Sequence, residues 1–498
     1  MPPTIFISAG EASGEHYGAL LIAALQQRMA ATGQTVSFFG MGGPRMAAEG
    51  LQCVVRSEDM AVMGLTEVVR HLPRIWREFR RLKQAIRQRP PSVAVLIDFP
   101  EIHFRLAKEF HRLGVPVVYF VSPQLWAWKQ KRIRLVRKYI DRMLVIFPFE
   151  EPFYRGQGVA AEFVGHPLAE LAAPTVSREQ FAAANGLDPA KTWIGLLPGS
   201  RPKEIRDILP EMLRAAREMA ALPAEKITDA PDVLKGQDSG EKNTGFVDPA
   251  QRICIALSHP GDKNKDVARV GHPDSVAIQK RRINREEGAE VGVKGAGFSV
   301  KGTGFSPYIN SANKTGALAP EGKPFEFLIP LAPTLNEAQR AEVRQIVAAH
   351  GAGLPLRLID EARAVLFHAR ASVVASGTAT VEAALIGNPF VVVYHVSPLT
   401  FAIAKRVVKL PCVAMANLIA GKQVVPELLQ GDFTAEKIVQ QIKPLLADGP
   451  ARQSMMEELA RIRGLLSTRP TGGAIDRVVE VTLEVMKQEP IAGLSSGD

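Results

Sequence analysis

Short apolar runs alternate with amphipathic stretches along the first 170 residues. Each run is long enough for one strand, and the stretches between runs repeat apolar residues at helical spacing. Strands that are apolar on both faces and separated by helices indicate a parallel sheet covered on both sides. The predicted strands are Ile5–Ala9, Val36–Gly40, Val93–Asp98, Val115–Val121 and Met143–Ile146, and the first helix is predicted from about His16 to Ala31.

The alternation restarts after a proline-containing linker near Ala172–Ser177. The strands predicted in this second half are Trp193–Leu197, Phe325–Ile329, Ser372–Ala375 and Phe390–Tyr394. Each half has the size of a doubly wound domain, so we predict an α/β protein of two Rossmann-like domains with a deep cleft between them. Ligands in such folds bind beyond the carboxyl ends of the strands, so the turns that follow the strands are the places to search for a site.

One long stretch of the second half carries no periodic pattern. Residues 223–322 are rich in Gly, Lys, Asn, Asp and Ser, and they occupy a connection where a short loop is usual. We predict an insertion that is largely disordered, because such a composition cannot bury enough apolar surface to fold. The predicted domains are residues 1–172 and, on either side of the insertion, residues 173–222 and 323–498, the last helices of which could pack back on the first domain.

Composition and charge narrow the range of partners. The 498 residues include 61 Lys and Arg against 51 Asp and Glu, and the net charge of +10 suggests an anionic partner. Three widely spaced cysteines indicate free thiols in a reducing compartment, not a disulfide framework or a zinc site. The sequence starts without a basic leader, and no apolar run approaches the ~18 residues of a transmembrane helix, which predicts a cytoplasmic protein.

The positive charge is concentrated in two clusters of the first half. Arginines of the first cluster share one face of a predicted helix beside an apolar stripe, and the apolar loop Met60–Leu65 precedes them. Such a helix suits an anionic bilayer surface, although an ordinary surface helix would pack the same stripe on the sheet. Nucleic acid is not expected, because the basic residues form no known motif and are not interleaved with exposed aromatics. The arginines are Arg70, Arg74, Arg77 and Arg81, the stripe is Leu72, Ile75, Trp76, Phe79 and Leu82, and the second cluster is Lys129, Lys131, Arg132, Arg134, Arg137, Lys138 and Arg142.

Turns after the predicted strands carry the candidate chemistry of the first half. Gly10 and Gly14 allow a tight turn and a close backbone approach, but the turn lacks the spacing of a dinucleotide fingerprint or a P-loop. A second glycine cluster follows at Gly40–Pro44. Asp98 ends the third predicted strand, where a carboxylate would point into the ligand crevice and could act as a general base. The alternative is that Asp98 only caps the following helix.

The second half offers a better-defined anion site. Ser200 and Arg201 lie between a strand and a helix predicted to begin near Lys203, and a helix N-terminus, a hydroxyl and a guanidinium together suit a phosphate. A similar turn, Ser376–Thr378, leads into a helix with Glu382 near its start. That carboxylate could accept hydrogen bonds from both hydroxyls of a ribose, or could merely complement the helix dipole. Two such turns in one domain point to a nucleoside diphosphate.

Taken in order, these motifs resemble the lipid-A-disaccharide synthase family, which consists of inverting glycosyltransferases with two Rossmann-like domains (GT-B type). The resemblance covers most of the chain outside the predicted insertion, and the Trp-Ala-Trp block together with the order of the motifs makes it specific. The motifs are Ala9–Gly14, Gly40–Pro44, Val121–Trp128 with Lys131 and Arg132, Phe163–Pro167, Leu197–Arg201, Ala375–Ala379, Asn417–Gly421 and Pro426–Leu428.

The resemblance implies a reaction and a set of roles. The family joins UDP-2,3-diacylglucosamine to 2,3-diacylglucosamine 1-phosphate and releases UDP and a β-1,6-linked disaccharide 1-phosphate. By resemblance, Asp98 takes the proton from the acceptor 6-hydroxyl, and Arg201 stabilises the leaving diphosphate in place of a metal ion. No cofactor is expected. The residues expected to bind substrate are Gly14, Glu15, Glu101, Ser200, Ser376, Gly377, Thr378, Glu382, Asn417 and Glu427.

The acylated substrates offer a functional reason for the basic face of the first half. Because both substrates are anchored in a bilayer and the acceptor carries a phosphate, the resemblance implies a peripheral protein on the inner face of the inner membrane of a Gram-negative bacterium. A homodimer is a reasonable oligomeric state.

The sequence departs from the family pattern at several positions. Glu15 and Glu101 stand where the family has Asp, and the additional methylene can place each carboxylate differently. His103, which stands where the family has Asn, is therefore an alternative base. Two rival functions are a UDP-sugar 2-epimerase of related fold, which would need no basic amphipathic face, and a non-catalytic nucleotide- or lipid-binding protein in which the acids are structural.

Overall fold

A computed structural model of the chain describes residues 2–60, 65–222, 325–397, 401, 412–467 and 472–487, with the backbone alone for residues 65–72. The predicted insertion at 223–322 and the middle of the apolar loop Met60–Leu65 lie outside the described residues. Two parallel sheets flanked by helices make up the described part, which confirms the predicted α/β architecture.

The first sheet is built from the residues before Val164. Its strands are β1 (Thr4–Ala9), β2 (Ser37–Gly42), β3 (Leu51–Arg56), β4 (Val93–Ile97), β5 (Val117–Phe120), β6 (Arg142–Val145) and β7 (Ala161–Phe163). Its helices are α1 (Ala12–Ala30), α2 (Pro44–Ala48), α3 (Ser57–Met60), α4 (Leu65–Gln88), α5 (Pro100–Arg112), α6 (Ile133–Tyr139) and α7 (Glu150–Gly156). The strands lie in the order β3-β2-β1-β4-β5-β6-β7, with parallel neighbours throughout.

The second sheet has the order β10-β9-β8-β11-β12-β13 and is also parallel. Its strands are β8 (Thr192–Leu197), β9 (Phe325–Pro330), β10 (Leu356–Ile359), β11 (Ala371–Ala375), β12 (Phe390–Tyr394) and β13 (Glu427–Leu429). The helices are α8 (Arg178–Asn185), α9 (Pro202–Ala221), α10 (Glu337–His350), α11 (Ala362–His368), α12 (Thr378–Ile386), α13 (Met415–Ala420), α14 (Ala435–Leu446), α15 (Pro450–Leu466) and α16 (Ala474–Lys487). Every residue of β9 and β11 is buried, as expected for strands covered on both faces.

Four strands escape prediction from the sequence pattern, and each lies at the edge of its sheet. β3 and β7 flank the first sheet, and β10 and β13 flank the second. An edge strand is short and exposes part of its surface, so it lacks the continuous apolar run of an inner strand. In β3, for example, Gln52 and Arg56 are exposed.

The first helix begins four residues earlier than predicted, at Ala12 instead of near His16. Gly14 is a poor helix former, which is why the pattern misses this turn. The structure buries Gly14 in the first turn of α1, where a Cβ atom would lie 3.5 Å from the side chains of Ala9 and Ile97, an ordinary packing distance. The start of α1 therefore packs against the ends of β1 and β4.

The predicted apolar stripe of α4 divides between core and solvent. Leu82 is fully buried and Phe79 packs against the core, whereas Trp76 is 52% exposed. Met60, at the start of the apolar loop, is also buried. The helix therefore packs on the sheet like an ordinary surface helix and still presents a tryptophan to solvent. Within the described ranges, no helix combines the length and apolar character that spanning a bilayer requires.

Each sheet contains one point at which the strand order reverses. In the first sheet this point lies between β1 and β4, where Ala9 pairs with Ile97. In the second sheet it lies between β8 and β11, where Leu197 pairs with Val374. Helices leave such a point toward opposite faces of the sheet, so a crevice opens beyond the carboxyl ends of the two strands.

The last helix returns to the first half of the chain. α16 packs on α1 and contacts β4 and β5. Its Arg477 binds Glu162 with two parallel hydrogen bonds, Nε to Oε1 at 2.6 Å and Nη2 to Oε2 at 3.0 Å. Glu170 accepts a hydrogen bond from the backbone N–H of Ala474 at the start of the helix. These polar contacts fix the direction in which α16 crosses the first half.

Replacing Arg477 with Met should lower the free energy of unfolding by about 1–3 kcal/mol, because the partly buried Glu162 loses a bidentate partner. Arg461→Met is the control, since Arg461 is half-exposed and lies 3.7 Å from Glu458, an acid of the same helix. Its effect should stay within about 0.5 kcal/mol. Thermal unfolding followed by circular dichroism measures both, and equal losses would contradict a role of the Arg477 pair.

Candidate active site

Asp98 lies at the reversal point of the first sheet, directly after β4. Asp98 and Phe99 both have left-handed backbone conformations, with φ of 52° at each residue. Such a conformation costs a residue other than glycine about 1–2 kcal/mol. The alternative in which Asp98 caps α5 does not hold, because the N-cap residue is Phe99 and no side chain in the described part caps that helix.

Two buried donors hold the main-chain carbonyl of Asp98. The Tyr119 hydroxyl donates to this oxygen at 2.6 Å, and the His103 Nδ1–H donates to it as well. A carbonyl can only accept, so the His103 proton is on Nδ1, and Nε2 accepts from the Ser8 hydroxyl at 2.8 Å. The two donors stabilise the unusual backbone and thereby set the direction of the Asp98 carboxylate.

The prediction of His103 as an alternative base is wrong. Its side chain is fully buried, and both ring nitrogens are engaged with Asp98 and Ser8. Burial lowers the pKa of His103 to about 4, although the bond to the Asp98 carbonyl acts in the opposite direction. The imidazole is therefore neutral at physiological pH and positions Asp98.

The Phe99 ring covers the turn after β1. A Cβ atom on Gly10 would lie 2.3–2.8 Å from atoms of this ring, so only glycine fits beneath it. The close packing joins the turn after β1 to the turn after β4. Both turns at the reversal point are thus held in one arrangement.

The environment of Asp98 disfavours its charged form. Burial raises the pKa of Asp98 to about 7, and the negative charges of Glu11 and, more weakly, Glu101 act in the same direction. The backbone N–H of Phe99 opposes this shift. A carboxyl group with a pKa near neutrality can accept a proton from a substrate and release it again at physiological pH.

The two glutamates that replace family aspartates have different neighbours. Glu15 Oε1 accepts a hydrogen bond from the backbone N–H of Arg45 at 2.9 Å, in the first turn of α2. Glu101 Oε1 lies 3.1 Å from Arg132 Nη1 and 3.4 Å from Lys129 Nζ. Burial alone would raise the pKa of Glu101, but these two cations outweigh it and hold the pKa below its usual value.

The turns after β8 and β11 form the opposite wall of the candidate site. Arg201 is the N-cap residue of α9 and is about half-exposed, and Ser200 beside it is exposed. Gly377 is the N-cap residue of α12, which no side chain of the described residues caps. Because the N–H groups at uncapped helix starts attract anions, both turns suit phosphate oxygens.

Glu382 lies half-buried on α12, four residues after Thr378. Burial raises its pKa, and the nearby positive charge of Arg363 lowers it. The carboxylate Oε1 is 3.9 Å from Arg363 Nη1. Arg363 also donates to the linker carbonyls of Leu171 and Ala172, at 3.5 and 3.3 Å. Glu382 therefore lies close to the linker that joins the two halves.

Asn417 and Glu427 contact each other. The Asn417 amide nitrogen donates to Glu427 Oε1 at 2.8 Å and to the Val425 carbonyl at 2.9 Å, and its oxygen accepts from the backbone N–H groups of Val424 and Val425. All four hydrogen-bonding positions of this buried amide are therefore used. Glu427 accepts from the backbone of residues 413 and 414, just before α13. The pair holds this loop in place, and Asn417 itself is closed to a ligand.

The turns after β1 and β4 form one wall of the candidate site, and the turns after β8 and β11 form the other. The two walls approach each other at Arg201. Its Nη2 lies 3.9 Å from Glu11 Oε2, which belongs to the turn after β1, and its Nη1 lies 3.2 Å from Glu204. Tyr394, at the carboxyl end of β12, is close enough for the charges of Glu204 and Arg201 to act on its hydroxyl. The described residues contain no group of three or more His, Cys, Asp or Glu that could hold a metal ion.

Comparison with known proteins identifies the family. The family model described as lipid-A-disaccharide synthetase matches residues 5–228 and 317–469. A lipid-A-disaccharide synthase from Acidobacterium capsulatum is 47% identical over 495 residues, and the alignment covers 98% of this chain and 97% of that protein. The chain belongs to the lipid-A-disaccharide synthase family. The predicted family, enzyme class and function are confirmed: the protein is a glycosyltransferase that forms the lipid A disaccharide.

Solved structures with low sequence identity share the fold of this synthase. The calicheamicin glycosyltransferase CalG4 superposes with a TM-score of 0.50 at 15% identity, covering 99% of this chain and 100% of that one. A UDP-GlcNAc 2-epimerase from Neisseria meningitidis superposes with a TM-score of 0.50 at 11% identity, covering 97% and 100%. Transferases and epimerases thus share the fold, and the family match is what favours a synthase over both rival functions.

Sequence reasoning missed several residues of the candidate site. Glu11 lies within the motif Ala9–Gly14 but carries no signal of its own, and Tyr119 lies in the apolar run of β5, whose four residues are Val117–Phe120. Only a polar atom inside an apolar strand, as in Tyr119, could have served as a signal.

Replacing Tyr119 with Phe should lower kcat about tenfold and leave KM nearly unchanged. The variant removes one of the two donors that hold the Asp98 carbonyl, worth about 1–1.5 kcal/mol, while His103 keeps the other. The matched control is Tyr154→Phe, which deletes a buried hydroxyl that donates to the Pro123 carbonyl at 2.6 Å. Steady-state kinetics with a parallel unfolding curve separates the two effects, and an equal loss of kcat in both variants would contradict the role of Tyr119.

Proposed function

We propose that this synthase transfers 2,3-diacylglucosamine from its UDP derivative to the 6-hydroxyl of 2,3-diacylglucosamine 1-phosphate, with Asp98 as the base. The observation that carries the proposal is the position of Asp98 at the reversal point of the first sheet, where Tyr119 and His103 hold its main-chain carbonyl. Its raised pKa, about 7, suits the same role. A base at this point lies in the crevice where ligands of doubly wound folds bind. Arg201, in the opposite wall, faces the same opening.

The chemical step is a single displacement. The acceptor 6-hydroxyl oxygen attacks the anomeric carbon of the donor sugar and passes its proton to the Asp98 carboxylate. The bond between the anomeric carbon and the diphosphate oxygen breaks, and UDP leaves with the electron pair. Because the attack comes from the face opposite the leaving group, the configuration inverts and the β-1,6 linkage forms.

Arg201 is proposed to stabilise the leaving diphosphate. Its guanidinium is about half-exposed, and among the described residues its charged partners are Glu204 at 3.2 Å and Glu11 at 3.9 Å, so it can turn toward an incoming phosphate. A permanent positive charge beside the leaving diphosphate, where negative charge develops, lowers the barrier without a metal ion. The Ser200 hydroxyl and the start of α9 would provide further donors.

The remaining site residues are assigned to the nucleotide and to the shape of the cleft. Ser376, Gly377 and Thr378 would bind phosphate or ribose oxygens at the start of α12, and Glu382 would accept hydrogen bonds from the ribose hydroxyls. Gly14 and Glu15 would shape the turn on the acceptor side, and Asn417 would act through Glu427.

We propose the domain division that accompanies these roles. Residues 1–172 would bind the acceptor and face the membrane, and residues 173–222 and 323–498 would bind the UDP-sugar. The reversal points of the two sheets fall one in each of these segments. The two segments are also tied together by the return of α16 to the first half.

We propose that the first half binds the protein to the anionic inner face of the inner membrane. Trp76 and Trp128 are exposed, at 52% and 42%, and each has a cation over its ring: Arg80 Cζ at 3.3 Å and Lys129 Nζ at 3.9 Å. Tryptophan with an adjacent basic side chain suits the boundary between headgroups and acyl chains.

A homodimer is a further prediction, which light scattering would test.

Turnover of the two acylated substrates in detergent with EDTA tests the mechanism. Wild type should form the disaccharide, and Asp98→Asn should lower kcat by about 10²–10⁴-fold because the base is lost. The control is Asp141→Asn, an equal change of charge at the amino end of β6, whereas Asp98 follows the carboxyl end of β4. The asparagine oxygen can still accept the hydrogen bond that the Val117 backbone N–H donates to Asp141 at 2.7 Å. Mass spectrometry follows the product.

The pH dependence gives a second reading from the same assay. A base must be deprotonated in the free enzyme to take up the proton, so kcat/KM should fall about tenfold per pH unit well below pH 7 and level off above it. Product from Asp98→Asn at the wild-type rate would eliminate Asp98 as the base. Isomerised donor in the absence of acceptor would favour the epimerase, and activity that depends on added metal would contradict the role given to Arg201.

Binding to vesicles tests the membrane surface. Trp76→Ala combined with Arg80→Gln should weaken binding to phosphatidylglycerol-containing vesicles by at least about fivefold, since one basic residue near an anionic surface is worth about 1 kcal/mol. Leu465→Ala, which removes an exposed apolar side chain from the second half, should have no effect. Equal co-sedimentation of wild type and both variants with the anionic vesicles would contradict the proposal. Wild type that binds neutral vesicles as strongly as anionic ones would also contradict it.

A further inference from the structure

Two basic side chains of the first half converge on one carboxylate oxygen. Arg132 Nη1 and Lys129 Nζ lie 3.1 Å and 3.4 Å from Glu101 Oε1. All three side chains are accessible, with 30%, 37% and 52% of their surface exposed for Arg132, Lys129 and Glu101. One carboxylate neutralises only one of the two cations, so the group keeps a net positive charge that a solute can reach.

The group lies close to the proposed base. Glu101 is in the first turn of α5, three residues after Asp98, and its negative charge contributes to the raised pKa of Asp98. The charge of Arg132 acts on the Tyr119 hydroxyl, which itself lies 2.6 Å from the Asp98 carbonyl. The two cations and the Asp98 carboxylate therefore belong to the same end of the first sheet.

The reaction brings two anionic substrates into one cleft. The diphosphate of the donor is assigned to the turns of the second half, around Arg201 and Gly377. That assignment gives Lys129 and Arg132 no group of the UDP-sugar to bind. The second anion of the reaction is the phosphate of the acceptor, which is separated from the reacting 6-hydroxyl by one sugar ring.

We propose that Lys129 and Arg132 bind the phosphate of the acceptor, with Glu101 holding the two side chains in place until the phosphate replaces it. This inference rests on the proposed function, because it takes the acceptor from there. A phosphate dianion attracts the pair more strongly than a single carboxylate does, and the guanidinium fork matches phosphate oxygens. The exposed Trp128 beside Lys129 would place the site at the level of the headgroups.

The test compares two acceptors across a small set of variants. Lys129→Gln and Arg132→Gln are each assayed in detergent with 2,3-diacylglucosamine 1-phosphate and with the same acylated sugar lacking the phosphate. Arg134→Gln is the control, because it removes an equal charge from an exposed position two residues further along. With the phosphorylated acceptor, KM should rise about tenfold in each variant and stay unchanged in the control.

With the phosphate-free acceptor, the variants should match wild type. An equal rise in KM for both acceptors would overturn the proposal, since the cations would then serve the fold or the detergent surface. An unchanged KM for the phosphorylated acceptor would also overturn it. Melting curves of the variants should coincide with that of wild type, because the replaced side chains are accessible.

A binding measurement separates this proposal from the proposed function. The probe is glucosamine 1-phosphate, a soluble headgroup, titrated into the full-length protein while its phosphorus resonance is followed. Wild type and Arg134→Gln should bind it with the same Kd, and Arg132→Gln should bind it about tenfold more weakly. Loss of binding in Arg132→Gln supports the phosphate site even if turnover fails, whereas equal binding by all three proteins overturns it.

Discussion

The reversal of strand order at the centre of each parallel sheet is the constraint on which the candidate site depends. Right-handed crossovers place the helices of strands added to the left and to the right on opposite faces, so the loops at the reversal diverge and cannot cover the strand ends. In this chain the reversals lie between β1 and β4 and between β8 and β11. Asp98 follows one of these strand pairs, and Arg201 and Gly377 follow the other.

The position of Asp98 within its crevice depends on buried hydrogen bonds to the backbone. Two consecutive residues with left-handed conformations would be unfavourable alone, and the bonds from Tyr119 and His103 offset that cost. The same burial that makes these bonds strong also disfavours a charge on the Asp98 carboxylate. Geometry and acidity at this residue therefore share one cause, the exclusion of water from the end of β4.

Acids of the first half repeatedly lie between two basic side chains. Glu78 pairs with Arg77 and Arg81, Glu109 with Lys83 and Arg87, and Glu101 with Lys129 and Arg132. Each group holds flexible cations at a defined place and retains a surplus positive charge. A surface built in this way attracts anions without relying on disordered side chains, which suits a reaction between two phosphorylated lipids. Asp98 differs from these acids, because the charges that act most on it are those of Glu11 and Glu101.

The sequence by itself determined the α/β class and the inner strands, because local periodicity shows which segments are buried. It also determined the family and the turns that bear Asp98, Arg201 and Gly377, because contiguous motifs show which turns are tight. Tertiary structure alone decided the edge strands, the buried role of His103, the closed amide of Asn417 and the approach of Glu11 to Arg201. The physical reason is that polar contacts depend on strand order and on the fold of residues far apart in the chain. A periodic pattern specifies burial, and it does not specify which buried polar groups meet.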